Sequence, residues 1–162
     1  MTIRVLFVST GGICRAPMAV GALRSIVGRA GLADSFEIEG AATYEGHVDC
    51  PPSLLATEAA ARRGYGVGDL RARALAPEDM AHFDYPLAMD RTHLAAMRWL
   101  APSGLTERPR MLMKYAPSIG ARDVLDPFGG THEDFERALD LIEAGCIGLL
   151  RHFCSTLSGA GA

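Results

Sequence analysis

The sequence predicts an α/β fold, namely a single three-layer domain in which a central parallel sheet of four strands carries helices on both faces. Short apolar segments alternate along the 162 residues with segments whose apolar residues recur at helical spacing. This alternation is typical of parallel sheets covered by helices. The first apolar segment is also a nearly continuous hydrophobic run, as expected for a strand buried on both faces. We expect the domain to span 1–157 and a flexible tail, rich in glycine and alanine, to span 158–162.

Each element has a local signal in the sequence. The predicted strands are the short apolar segments 3–8, 36–43, 85–89 and 110–113. Helices are predicted from Pro17 onward, at 54–63, at 91–100 and from Thr131 onward. Proline suits an opening helical turn, where its missing N–H is not needed. Ser53 is expected to cap the second helix, and Thr131 opens a T-x-x-D helix start before a long apolar stripe.

Composition excludes several classes of protein. The net charge of −3 and the pI of about 5.9 argue against a nucleic-acid-binding protein, which would present a basic face. No stretch approaches the roughly 20 apolar residues of a membrane span, and the apolar start is too short for a secretory signal. The spacing of Cys14, Cys50, Cys146 and Cys154 matches neither a zinc site nor a disulfide framework. Reduced thiols in a cytoplasmic protein are therefore expected.

The loop between the first strand and the first helix, S-T-G-G-I-C-R, is the main functional candidate. Ligands in such folds bind at the carboxyl ends of the strands. Gly11 and Gly12 let successive N–H groups turn inward around an anion, and the helix dipole adds positive charge there. Arg15 can supply a planar fork for two oxygens. The predicted phosphate-binding residues are Thr10, Gly11, Gly12, Ile13, Cys14 and Arg15. Taken alone, a plain turn with an exposed arginine stays open.

The segment VLFVSTGGICRAP, residues 5–17, resembles the opening of the low-molecular-weight protein tyrosine phosphatases, which run strand, C-x5-R-S-P, helix. Asp126-Pro127 is similar to the Asp-Pro acid motif of that family. The likeness continues through 41–48, 84–90 and the last helix, so it covers nearly the whole chain.

This resemblance implies hydrolysis of phosphotyrosine through a phosphocysteine, with Arg15 as the phosphate clamp and Asp126 as the general acid. It implies Tyr44, His47 and Phe128 as the substrate-side residues. It further implies a phosphate or a phosphotyrosine-bearing protein as partner, no cofactor, no metal, no nucleic acid, and a monomer or weak dimer.

The chain departs from the family pattern at the nucleophile, because the resemblance places Ser9 where the family has cysteine. A serine hydroxyl needs an adjacent base, and none is visible near Ser9. The histidines are expected to be surface or loop residues: His47, His82, His93, His132 and His152. Gly12, Ala16 and Gly40 also replace polar residues that brace the family's loop. Little or no turnover is therefore expected, although the chain is protein tyrosine phosphatase-like.

Five interpretations stay open. The clustered losses favour a natural pseudophosphatase over an active phosphatase whose nucleophilic cysteine was replaced by Ser9 through engineering. Cys14 beside Arg15 is a further nucleophile candidate. An arsenate reductase would need a downstream pair of cysteines, and none lies between Cys50 and Cys146. The last interpretation is a partner-binding protein that binds no anion.

Overall fold

A computed structural model, which describes residues 1–160, confirms the predicted three-layer α/β domain with one parallel four-stranded sheet. The strands are β1 (Ile3–Ser9), β2 (Phe36–Ala42), β3 (Tyr85–Ala88) and β4 (Arg110–Met111). Their order across the sheet is β2-β1-β3-β4, and all neighbouring pairs are parallel. β1 therefore lies in the interior of the sheet, between β2 and β3. Its carboxyl end leads directly into the glycine-containing loop.

Within residues 1–160, five α-helices cover the sheet. They are α1 (Arg15–Arg29), α2 (Leu54–Arg62), α3 (Asp79–His82), α4 (Arg91–Leu100) and α5 (His132–Ala160). Ser53 caps α2 as predicted, since its hydroxyl accepts the N–H of Ala56 at 3.3 Å. The predicted start of α5 is also confirmed, because the Asp134 carboxylate accepts the Thr131 N–H at 2.8 Å. None of the helices within residues 1–160 combines the length and apolarity that a bilayer crossing needs.

The alternation of side chains along β1 divides the core between the two faces of the sheet. Val5 and Phe7 point into the larger cluster, which α1, α2 and α5 complete. Leu6 and Val8 point into a smaller cluster beneath α3 and α4. All four side chains are fully buried. A strand covered on both faces needs apolar residues at every position, which is why the first segment is a continuous run.

The fourth strand is shorter than predicted. Only residues 110 and 111 pair with β3, and residues 112–115 then form a 3₁₀ turn. Packing against α5 explains the difference: a Cβ atom at Gly148 would lie 1.8 Å from the Tyr115 carbonyl oxygen. The backbone of this turn therefore rests directly on the helix, an approach that only glycine permits. The tertiary contact overrides the strand preference of the apolar segment.

The predicted tail falls largely within α5, because this helix continues through Ala160. Residues 161 and 162 lie outside the described residues. The domain boundary at 157 and the flexibility of 158–162 stay predictions.

Candidate active site

The β1–α1 loop connects Ser9, the last residue of β1, to Arg15, the first residue of α1. Its carbonyl groups are bound by the flanking chain: Thr43 N–H donates to the Ser9 oxygen at 3.0 Å, and Tyr44 N–H donates to the Thr10 oxygen at 2.8 Å. The N–H groups of residues 11–14 donate to no acceptor among residues 1–160. Unpaired N–H groups at a helix N-terminus form an anion-binding concavity.

Gly12 makes the turn possible. Its φ of 73° lies in the left-handed region, which glycine enters without steric cost. A Cβ atom there would come within 3.2 Å of the Ala42 Cβ and 3.3 Å of the Ala72 Cβ. Small apolar side chains therefore fill the space behind the loop.

Arg15 is a buried, fully oriented cation with only 2% of its surface exposed. Its Nη1 donates to the Asp90 carboxylate and to the Val124 carbonyl, both at 2.8 Å. Its Nη2 donates to the Thr10 hydroxyl at 3.3 Å. A buried guanidinium needs such partners because an unpaired charge inside a protein is very costly.

Asp90 holds the Arg15 guanidinium in place. Burial opposes its ionisation, but hydrogen bonds from Thr92 and Arg15 outweigh burial and lower the pKa of the Asp90 carboxyl to about 2. Asp90 is therefore ionised at neutral pH. It also caps α4 through the N–H groups of Thr92 and His93.

Asp126 lies at the mouth of the site. Its Oδ2 is 3.6 Å from Arg15 Nη2, and 48% of its side chain is exposed. Its other carboxylate oxygen accepts the Phe128 N–H at 3.1 Å, which fixes the Asp-Pro turn. Arg15 and Asp126, from distant parts of the chain, thus lie close together at one opening. The predicted roles of phosphate clamp and general acid require this proximity.

A cavity of about 190 Å³ opens above the loop. Its lining contains all but one of the predicted site residues: Ser9, Thr10, Gly11, Ile13, Cys14, Arg15, Tyr44, His47, Asp126 and Phe128. The remaining predicted residue, Gly12, shapes the turn behind the cavity. The structure brings these residues together, and their individual roles remain proposals.

Three rings form the rim of the cavity. The ring centroids of Tyr44 and His47 are 5.8 Å apart, and those of His47 and Phe128 are 6.1 Å apart. A Cβ atom at Gly11 would approach the His47 ring to 2.8 Å. Glycine at position 11 thus lets the imidazole lie over the loop.

Ser9 lies at the floor of the cavity with 2% of its surface exposed. Its hydroxyl has no hydrogen-bond partner within residues 1–160. Ala16 and Gly40 pack against each other, since a Cβ atom at Gly40 would be 3.3 Å from the Ala16 Cβ. Neither residue has a polar side chain that could serve as a partner for this hydroxyl.

Cys14 also reaches the cavity, but it is 6% exposed and its Sγ is 3.4 Å from the Ser53 hydroxyl. Burial is the main cause that raises the pKa of the Cys14 thiol above its usual value. The thiol is therefore protonated at neutral pH, which opposes a nucleophilic role.

His93 was missed as a site residue, and the expectation that it lies at the surface was wrong. It is 1% exposed, and its Nε2 is 2.8 Å from the Thr10 hydroxyl. Its Nδ1 accepts the backbone N–H of Asp90 at 3.2 Å. Burial lowers the pKa of His93 to about 4, despite the nearby Asp90 carboxylate. An Asp followed three residues later by a polar side chain at a helix start was a signal that could have found it.

The fold and site define an α/β protein in which a βα loop with unpaired N–H groups and a buried arginine lies next to an aspartate. Comparison with known proteins identifies the family within this class. The family model described as low molecular weight phosphotyrosine protein phosphatase matches residues 4–158. The chain belongs to this family, whose reaction is the hydrolysis of phosphotyrosine, and the predicted resemblance is confirmed.

Relatives extend over most of the chain. It is 40% identical to the low molecular weight protein-tyrosine-phosphatase of Streptomyces coelicolor over 172 aligned positions, covering 100% of both chains. It is 36% identical to protein-tyrosine phosphatase A of Mycobacterium tuberculosis, covering 91% of this chain and 89% of that one. The crystal structure of YfkJ from Bacillus subtilis superimposes with a TM-score of 0.91 at 31% identity, covering 96% of this chain and 97% of that one.

Proposed function

We propose that the cavity binds the phosphate group of a phosphotyrosine-bearing protein and that the chain hydrolyses it very slowly or not at all. The observation that carries this proposal is the pairing of an oriented Arg15 with a buried, neutral Ser9 at the two ends of one anion-binding loop. Ser9 stands six residues before Arg15, where the C-x5-R pattern has its cysteine.

Anion binding is supported by three features that act on the same point. The unpaired N–H groups of residues 11–14 lie at the N-terminus of α1, directly before its first residue. The dipole of this 15-residue helix favours negative charge there. Arg15 adds a full positive charge with a fixed direction. Together they favour a dianion such as phosphate.

Recognition of tyrosine is supported by the rim of Tyr44, His47 and Phe128. Aromatic side chains attract a further ring through edge and face contacts. A phenyl phosphate would place its phosphate at the loop and its ring between these side chains. Asp126, half exposed at the mouth, would then donate a proton to the departing phenolate oxygen.

Slow turnover follows from the chemistry of Ser9. A cysteine at a helix N-terminus beside an arginine becomes a thiolate at neutral pH, whereas a hydroxyl stays protonated unless a base removes its proton. The Ser9 hydroxyl has no such base within the described part of the chain. In this proposal the protein is a pseudophosphatase in the cytoplasm, where its four free cysteines stay reduced.

Titration calorimetry with inorganic phosphate and with a phosphotyrosine peptide tests binding. We expect saturable binding of both, weakened at least about tenfold in Arg15→Lys, because lysine lacks the bidentate fork. Arg24→Lys, on the exposed part of the same helix, is the matched control and should bind as the parent does. Absence of binding at millimolar phosphate would overturn the proposal and favour a partner-binding protein without an anion site.

Hydrolysis of p-nitrophenyl phosphate tests turnover. We expect residual activity at most, and equal rates in the protein, Ser9→Ala and Cys14→Ser. Efficient hydrolysis that survives Ser9→Ala and disappears in Cys14→Ser would instead assign the nucleophile to Cys14.

A further inference from the structure

The Thr10 hydroxyl is hydrogen-bonded by Arg15 of the same loop and by His93, which is 83 residues away in the sequence. We propose that His93 is a positioning residue that makes this hydroxyl an obligatory hydrogen-bond donor to the phosphate bound in the loop. The inference deepens the proposed function and rests on it.

The first step concerns the proton on His93. The Nδ1 atom lies 3.2 Å from both the backbone N and the Oδ1 of Asp90. Only the contact with the backbone N–H has the geometry of a hydrogen bond, so Nδ1 is the acceptor and carries no hydrogen. The ring is neutral at pH 7, since burial and Arg15 disfavour its charged form more than the carboxylates of Asp90, Asp126 and Asp123 favour it. A neutral imidazole has one N–H, and it must therefore lie on Nε2.

The second step counts the bonds of the Thr10 hydroxyl. The oxygen accepts the Nε2–H of His93 at 2.8 Å and the Nη2–H of Arg15 at 3.3 Å. A hydroxyl has two lone pairs and one hydrogen, so both lone pairs are occupied. The hydrogen alone remains, and no acceptor among residues 1–160 receives it.

The third step concerns direction. Thr10 and Arg15 both line the cavity, whereas His93 is buried, does not line it and contacts the Thr10 hydroxyl from the opposite side. The free hydrogen therefore points toward the space above the loop. A phosphate oxygen in the concavity is the acceptor that fits. Hydrogen bonds in series polarise one another, so the chain from Asp90 N–H through His93 strengthens the Thr10 donor.

The same geometry excludes a different role. A hydroxyl, an imidazole and an aspartate in sequence are the components of a catalytic triad. Here Nε2 already carries the proton, so His93 cannot accept another from Thr10 while the ring is neutral. The arrangement orients Thr10 and does not activate it as a nucleophile.

Phosphate affinity, measured by calorimetry at pH 7, tests the inference. Thr10→Ser keeps the hydroxyl and should retain most of the affinity that Thr10→Val loses. Thr10→Val removes it, and we expect affinity to fall about tenfold, the typical effect of one hydrogen bond to a charged group. Equal affinity of Thr10→Val and the parent would overturn the inference and leave the proposed function standing. Absence of binding by the parent would overturn both.

A double-mutant cycle shows whether His93 acts through Thr10. We expect His93→Leu to weaken phosphate binding in the parent and to have no further effect in the Thr10→Val background. His93→Gln retains a donor and should recover most of the affinity. This recovery would show that the loss in His93→Leu does not come from a general loss of structure. Additive effects of the two substitutions would overturn the positioning role.

The ¹⁵N chemical shifts of the His93 ring give a readout that needs no ligand. We expect one protonated nitrogen at pH 7, assigned to Nε2 by its coupling pattern. Protonation of Nδ1 would reverse the direction of the Thr10 bond and overturn the inference.

Discussion

The two sides of the phosphate loop are built in opposite ways. The arginine side, consisting of Thr10, Arg15, Asp90 and His93, is a closed set of hydrogen bonds. The serine side, consisting of Ser9, Gly12, Ala16 and Gly40, contains one buried hydroxyl that has no partner among residues 1–160, and its other three residues have no polar side chain. In the proposed function, holding an anion and attacking it therefore depend on separate sets of residues, and this chain keeps the first set.

Among the substitutions that test this comparison, Ser9→Cys has the largest expected effect. A cysteine at this position would be a thiolate stabilised by the helix N-terminus and Arg15. We expect kcat for p-nitrophenyl phosphate to rise by roughly 10³-fold or more, by analogy with the loss when a catalytic nucleophile is removed. Ser9→Ala is the control and should change nothing. An inert cysteine variant that still binds phosphate would show that the serine side has lost more than its nucleophile.

Asp90→Ala breaks the arginine side. It leaves the buried Arg15 guanidinium without its carboxylate, and we expect the free energy of unfolding to fall by about 3–5 kcal/mol. The matched control is Asp69→Ala, which removes an exposed carboxylate from the exposed Arg24 and should cost about 1 kcal/mol or less. Urea unfolding at pH 7 measures both. Equal losses would contradict the view that this side is an integrated network.

The pH dependence of stability also tests the arginine side, through His93. The pKa of His93 is lowered to about 4 in the folded protein, compared with about 6.5 when unfolded. The unfolded chain therefore binds the proton first, and stability falls as pH drops from about 6.5 toward 4, by about 3 kcal/mol. Urea unfolding across this range measures the slope, which His93→Gln should reduce. His132→Gln, at an exposed position of α5, is the control and should change the slope much less.

A substitution at the rim of the cavity has the smallest expected effect. Phe128→Ala removes one exposed ring, and we expect the affinity for a phosphotyrosine peptide to fall about three- to tenfold, as is typical of one aromatic contact. Inorganic phosphate should bind unchanged, since it touches the loop alone. Trp99→Ala, which removes an exposed ring of α4, is the control. A parallel loss of phosphate affinity would show that Phe128 acts on the loop and not on the ring of the ligand.

Local patterns predicted the parts of the site that a single segment contains. The loop of residues 9–15 was recognisable because glycines and an arginine follow an apolar run. The Ser53 cap and the T-x-x-D start of α5 were equally local. Asp126 was found through the family resemblance, and the structure places it 3.6 Å from Arg15.

Other parts depended on contacts between distant segments. His93 looked like an ordinary polar residue of a helix start, and its burial follows from the packing of α4 beside the loop. The predicted strand at 110–113 ends early because Tyr115 rests on Gly148. The Asp90-x-x-His93 pattern marks a helix start but does not reveal this burial, and the contact of Tyr115 with Gly148 leaves no pattern within its own segment.

The sequence by itself determined the order of strands and helices, the loop that can hold an anion, and the serine at its first position, because each depends on neighbouring residues. Only the tertiary structure decided the partners of Arg15 and the direction of the Thr10 hydroxyl. Those depend on Asp90, His93 and Val124, which reach the loop because the carboxyl ends of β1 and β3 lie side by side in one parallel sheet.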